Sequence, residues 1–137
     1  MFEARRLLAT ATMLVGAAVL LSVPARAIDL TGAWASQSDL CKLVFTKKDK
    51  ATAFTELSDL YGSGFIIDGN QIRGKTAQCT INSRKQNGEI LELNASCATS
   101  IMTQNMSFLL KIIDDNNIAR VMPEIENMEI KYTRCSF

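Results

Sequence analysis

Histidine is absent from the 137 residues of this chain, and its absence excludes several kinds of chemistry. Ser-His-Asp and Cys-His sites both need an imidazole base, and common zinc sites use histidine or closely spaced cysteines. The four cysteines form no C-x-x-C pair, which argues against thiol-disulfide exchange. We therefore predict no catalytic residue, no metal site and no cofactor, and we expect a protein that is not an enzyme.

An excess of charge of one sign is also missing. The chain has 15 basic and 14 acidic side chains, a formal net charge of +1. This balance is not typical of nucleic-acid-binding proteins or of polybasic proteins that bind membrane surfaces. Beyond the N-terminal region, no apolar run approaches the roughly 20 residues of a transmembrane helix.

The N-terminal 27 residues have the layout of a cleavable secretory signal peptide. Arg5 and Arg6 precede an apolar run over 7–23, and Ala25-x-Ala27 follows as a small-x-small cleavage site. This order predicts cleavage after Ala27, with Ile28 as the mature N-terminus. An uncleaved membrane anchor is the alternative, but the run is slightly short for a span of about 20 residues. The arginine pair also permits a twin-arginine signal, although its flanking residues favour general secretion.

Cleavage would leave one domain, 28–137, of about 110 residues, near the commonest domain size. Removal of Arg5, Arg6, Arg26 and Glu3 leaves 12 basic and 13 acidic side chains, so the mature part is nearly neutral. We expect this domain to be periplasmic or secreted, with no transmembrane anchor after cleavage.

All four cysteines lie in the predicted mature domain, and an even number in an exported chain favours disulfides over zinc. Residues 76–83 and 89–99 alternate polar and apolar side chains around Asn87-Gly88, a dipeptide typical of type I′ hairpins. A two-residue turn there brings Cys79 and Cys97 within one step of pairing, and one bulge removes the offset. The pattern therefore favours Cys79–Cys97 and, by elimination, Cys41–Cys135.

The rest of the mature chain reads as antiparallel hairpins with turn signals every 8–12 residues, which predicts an all-β up-and-down barrel or sandwich of about eight strands. One segment departs from this pattern. Ala53, Phe54, Leu57, Leu60 and Tyr61 recur at spacings of three and four before Gly62, which predicts a short helix over 52–61. The other predicted strands are 30–36, 41–47 (with Cys41, Leu43 and Phe45 on one face), 64–68, 71–75, 106–113, 118–122 and 128–135.

Leu30-Thr31-Gly32-Ala33-Trp34 resembles the L-x-G-x-W start of avidin-like and lipocalin-like small β-barrels. In those families the glycine allows close packing and the tryptophan closes one end of the barrel, which implies structural roles for Gly32 and Trp34. Avidin-type ligand sites use several further tryptophans, whereas Trp34 is the only tryptophan here. Small exported bacterial proteins of unknown function also begin L-x-G-x-W and end Y-x-R-C, as Tyr132 to Cys135 do.

Several polar and sulfur clusters have a simpler structural explanation than a site. Asp114-Asp115-Asn116-Asn117 could suggest calcium, but a polar hairpin turn explains it. Glu124, Glu126 and Glu129 could suggest glycosidase chemistry, but alternating surface positions explain them. Packing likewise explains the methionines that could suggest copper: Met102, Met106, Met122 and Met128.

The one clear charge cluster is Lys42, Lys47, Lys48 and Lys50, with Arg84 and Lys85 near another turn. It could form an edge that docks an envelope or extracellular protein, or an anionic glycan. We therefore expect first an exported binding or inhibitor-like module, because side chains nearly fill the bore of so small a barrel. The alternative is a small-ligand carrier, which a cavity of several hundred Å³ would favour.

Overall fold

Buried and more exposed residues alternate along the strands of the sheet. In the longest run of this kind, Leu91, Leu93, Ala95 and Cys97 are all buried while the residues between them are not. Successive side chains of a strand point to opposite faces, so this alternation gives the strand one face toward the core. The computed structural model describes residues 27–62 and 64–137; the predicted signal peptide over 1–26 lies outside them.

Eight strands form a closed antiparallel barrel, in the order β1-β10-β9-β8-β7-β6-β5-β4, which confirms the predicted fold class. The barrel closes where β1 pairs with both β4 and β10. Strands β2 and β3 form a separate two-stranded sheet inserted between β1 and β4. The strands are β1 Gly32–Ala35, β2 Phe45–Lys48, β3 Ala51–Phe54, β4 Phe65–Asp68, β5 Gln71–Arg73, β6 Gln78–Asn87, β7 Ile90–Ala98, β8 Thr103–Asp114, β9 Asn117–Met122 and β10 Met128–Arg134.

The predicted strand over 41–47 is wrong in its first half. Cys41–Val44 is a single α-helical turn, α1, which continues a 3-10 turn over Ser38–Leu40. Cys41 and Val44 are buried in a cluster against the outer wall of β1 and β4, whereas Leu43 is 43% exposed. Burial at a spacing of three selects a helix here, because a strand would have placed Leu43 beside Cys41.

The predicted helix over 52–61 is also wrong. Its first residues form β3, which pairs with β2 through a turn where Asp49 and Lys50 have φ values of 50° and 71°. Only Ser58–Tyr61 is helical, as a 3-10 turn that ends at Gly62 as expected. The apolar spacing gave a wrong prediction of a helix, because Leu57 and Leu60 are 60% and 73% exposed and form no buried face.

Both predicted disulfides form, Cys41–Cys135 and Cys79–Cys97. The hairpin that carries Cys79–Cys97 has its turn one residue later than expected, at Gly88-Glu89. Gly88 has a φ of 62° and occupies the first turn position. That position of glycine is typical of a type II′ rather than a type I′ turn. A bulge between Ile81 and Ser83 shifts the register and sets Cys79 directly opposite Cys97.

Of the two disulfides, Cys41–Cys135 should stabilise the fold more. It joins residues separated by 94 positions, against 18 for Cys79–Cys97. In the chain-entropy model the two loops are worth about 4–5 and about 3 kcal/mol. Urea unfolding of the Cys41→Ser/Cys135→Ser and Cys79→Ser/Cys97→Ser proteins measures the difference, and a larger loss from the second pair would contradict this ranking.

Trp34 should be a major packing residue, because it is fully buried and its indole N–H donates to the Leu30 carbonyl at 3.0 Å. Trp34→Ala is expected to lower the free energy of unfolding by about 3–5 kcal/mol. Trp34→Phe should retain most of the free energy of unfolding, because it loses only the indole hydrogen bond and part of the ring. Thermal unfolding of the three proteins provides the measurement, and an unchanged melting temperature for the alanine protein would refute the packing role.

Within residues 27–62 and 64–137, no helix is long and apolar enough to span a membrane.

Candidate functional site

One half of the barrel interior is filled and the other is hollow. At one end, which we call the closed end, Trp34 packs among Leu30, Leu93 and Ile118. Toward the other, the open end, a cavity of about 310 Å³ lies beneath the loops that join β5 to β6 and β7 to β8. The expectation that side chains nearly fill the bore therefore holds only for the closed half.

The closed end is held by Arg134, the last residue of β10. Its guanidinium carbon lies 4.6 Å from the centroid of the Trp34 ring. The same guanidinium donates hydrogen bonds to the carbonyls of Asp29, Thr31 and Asp115. A Cβ on Gly32, which has φ 142°, would lie 3.3 Å from Arg134 Cγ, so glycine lets the arginine cross the end of the barrel. Gly32 and Trp34 thus both lie against Arg134 at the closed end.

Aromatic rings separate the closed end from the cavity. Phe65 stacks on Trp34 with ring centroids 6.4 Å apart, and it meets Tyr132 edge to face at 4.8 Å. Phe65 and Tyr132 both line the cavity, whereas Trp34 does not. Trp34 therefore supports the wall of the cavity from behind.

The wall of the cavity is mainly apolar and includes a disulfide. Cys79 and Cys97 are both buried, face inward from β6 and β7, and line the cavity. This bond ties β6 to β7 at the cavity, which fixes the spacing of that wall. The other apolar side chains lining it are Ile67, Ile72, Ala77, Met102, Met106, Phe108 and Leu110.

Four polar side chains reach the cavity: Thr99, Gln104, Arg120 and Tyr132. Arg120 comes from β9, and its guanidinium carbon lies 5.0 Å from the centroid of the Phe108 ring. Burial raises the pKa of the Tyr132 hydroxyl, and the nearby Arg120 charge only partly opposes this rise. Tyr132 is therefore a neutral hydroxyl at physiological pH, able to donate a hydrogen bond.

Exposed apolar side chains also lie on a loop at the open end of the barrel. Ile101 and Met102, in the loop between β7 and β8, are 89% and 53% exposed. Met102 lines the cavity as well, and Met106 lies deeper in it on β8. Two of the four methionines that could have suggested copper are thus part of this apolar wall.

The lysine cluster lies away from the cavity. Lys47 and Lys48 are on β2, Lys50 is in the turn to β3, and Lys42 is on α1; all four are exposed. Lys47 donates to the Thr52 hydroxyl and lies 5.3 Å from the centroid of the Phe137 ring. The structure therefore brings three of the four lysines together on one projecting hairpin.

The carboxylates that were considered as sites have local partners or stand apart. Asp114 accepts hydrogen bonds from the backbone N–H of Asn116 and the side chain of Asn117; the first lowers the pKa of Asp114 most, and the second lowers it further. Glu129 forms an ion pair with Lys111 at 3.2 Å. Among residues 27–62 and 64–137, no group of three or more His, Cys, Asp or Glu side chains could hold a metal ion.

Two arginines matter in the structure that the sequence analysis did not single out, Arg120 and Arg134. Both stand at inward-facing positions of alternating strands, in phase with Ile118 and Tyr132 respectively. That alternation was visible in the sequence, and an arginine in the apolar phase of a barrel strand is the signal that would have found them.

No protein-family model, no curated protein and no solved structure matches this chain, so its function has to be argued from the barrel and its cavity.

Proposed function

We propose that the protein is a carrier that holds a small, largely apolar ligand in the open half of its barrel. The observation that carries this proposal is the cavity of about 310 Å³ with its mainly apolar lining. Small-molecule pockets typically measure about 300–1,000 Å³ and combine apolar walls with a few polar groups. This cavity has the same composition, at the small end of that range.

The construction of the barrel supports a preformed site. The Cys79–Cys97 bond fixes one wall, and the Trp34 cluster supports the inner end, so a ligand would meet a cavity that needs little reorganisation. The L-x-G-x-W start and the closed eight-stranded barrel together support a relationship to lipocalin-like or avidin-like carriers. Two disulfides are typical of an oxidising compartment outside the cytoplasm. In our proposal the carrier works in the periplasm or after secretion.

The neutral fluorescent probe N-phenyl-1-naphthylamine tests this function; its naphthyl group would fill the cavity and its phenyl ring would lie at the open mouth. It should bind one site per chain, with a rise in fluorescence as it leaves water. Met106→Trp should weaken binding about tenfold or more, because the indole would occupy the space the probe needs; that is a loss of about 1.4 kcal/mol.

Asn105→Trp is the matched control. Asn105 precedes Met106 on β8 and is exposed, so the same indole would project outside the barrel. This protein should bind the probe as the native protein does. Probe binding that is absent from the native protein, or equal in both tryptophan proteins, would reject the cavity as the site.

The projecting β2–β3 hairpin favours a second candidate function, docking of an acidic envelope or extracellular protein or an anionic glycan. Lys47, Lys48 and Lys50 are all exposed on a two-stranded element that is separate from the barrel sheet. Such an arrangement suits electrostatic steering of an acidic partner, and it is compatible with a ligand in the cavity.

Retention on heparin measures the contribution of this hairpin. Lys48→Glu/Lys50→Glu should elute at lower salt than the native protein, because it reverses two neighbouring charges. Lys85→Glu/Lys131→Glu makes the same change in net charge at exposed positions of the barrel wall. Equal elution of the two double variants would show that net charge alone governs retention and would count against docking at the hairpin.

A further inference from the structure

We propose that the ligand of the cavity carries a single carboxylate, bound by the guanidinium of Arg120 beside the Tyr132 hydroxyl. This inference rests on the proposed carrier function and names the chemical class of the ligand.

Arg120 is the charged residue of the cavity wall, and no other acidic or basic side chain among the described residues lines it. It pairs with Leu110 on β8 and Ile130 on β10, and it faces inward from the middle of β9. In the part of the chain that the structure describes, its side chain makes no ion pair and no hydrogen bond. Its one described interaction is the stacking over Phe108.

Arg134 shows what an inward-facing arginine of this barrel looks like when its role is structural. Its donors are used by the carbonyls of Asp29, Thr31 and Asp115, and its face covers Trp34. Arg120 also covers an aromatic ring, but its in-plane N–H donors meet no acceptor among the residues that the structure describes. Those donors are not among the fully buried unpaired atoms of the described residues, so they remain accessible from the cavity, where the oxygens of an anion can accept hydrogen bonds from them.

The donor chemistry selects the anion. A guanidinium presents two parallel N–H donors that match the two oxygens of a carboxylate, and stacking on a ring leaves those donors free. Tyr132 also lines the cavity, and its neutral hydroxyl can supply a further donor to a ligand there. One cation and no acidic side chain in the wall fit a ligand with one negative charge.

The volume limits the size of the ligand. At about 30 Å³ per water-sized group, about 310 Å³ encloses about ten non-hydrogen atoms. The remaining atoms of a slightly longer ligand would reach the apolar mouth at Ile101 and Met102. A medium-chain or aromatic monocarboxylate therefore fits, and decanoate is a suitable probe.

Displacement of the neutral fluorescent probe by decanoate, 1-decanol and decylamine at neutral pH tests the inference. Decanoate should bind about 10- to 100-fold more tightly than decanol, the effect of hydrogen bonds to a charged group. Without Arg120, decanol should bind more tightly than decanoate, because an ionised head group loses more hydration than a hydroxyl on entering the cavity. Arg120→Gln should therefore lose the preference for decanoate.

Lys131→Gln is the matched control, since it removes one positive charge from the exposed face of the adjacent strand. It should keep the native preference for decanoate. Arg120→Lys keeps the positive charge but lacks the two parallel N–H donors of a guanidinium, so its preference for decanoate should be reduced. Equal binding of all three compounds to the native protein, or an unchanged preference in Arg120→Gln, would overturn the carboxylate assignment while the carrier function stands. Failure of the fluorescent probe and all three compounds to bind would instead overturn the carrier function.

Discussion

The structure depends on the contact between Trp34 and Arg134, the point at which the first and last strands of the barrel are joined. The two residues are direct partners in the β1–β10 pairing, and the guanidinium lies over the indole. Its hydrogen bonds to Asp29, Thr31 and Asp115 add the chain before β1 and the β8–β9 turn to the same contact. One cation thereby satisfies carbonyls at the strand ends and covers the largest core side chain.

Closing one end so completely leaves the barrel asymmetric. The large apolar side chains Leu30, Trp34, Leu93 and Ile118 are used at the closed end, and the open half is lined by side chains that leave a hollow. The Cys79–Cys97 bond lies beside that hollow and ties β6 to β7 there. Cys41–Cys135 has a different structural role: Cys41 is in α1 on the outer wall and Cys135 directly follows β10, so the bond joins these two parts of the chain.

Most of the barrel could be predicted from the sequence because many of its strands alternate polar and apolar side chains and most are joined by turns with Gly or Asn. Cys79–Cys97 followed from the hairpin, and Cys41–Cys135 then followed by elimination. The segment 38–61 could not be predicted, because it packs on the outside of β1 and β4. There the burial of Val44 and Phe45 depends on the distant Ile66, and local spacing gave a false helix at Leu57 and Leu60.

The cavity could not be predicted because its existence depends on which inward side chains meet at the same height in a closed barrel. The sequence shows that Phe65, Phe108 and Tyr132 face inward, but register decides that they surround a space instead of filling it. The inward phase of Arg120 is different, since it follows from alternation within β9 alone. A charge in that phase needs a carbonyl, a carboxylate, water in the cavity or a ligand as its partner. Arg134 finds carbonyls because it stands at a strand end, where carbonyls are unpaired. Arg120 stands in mid-strand, where the sheet has already used them.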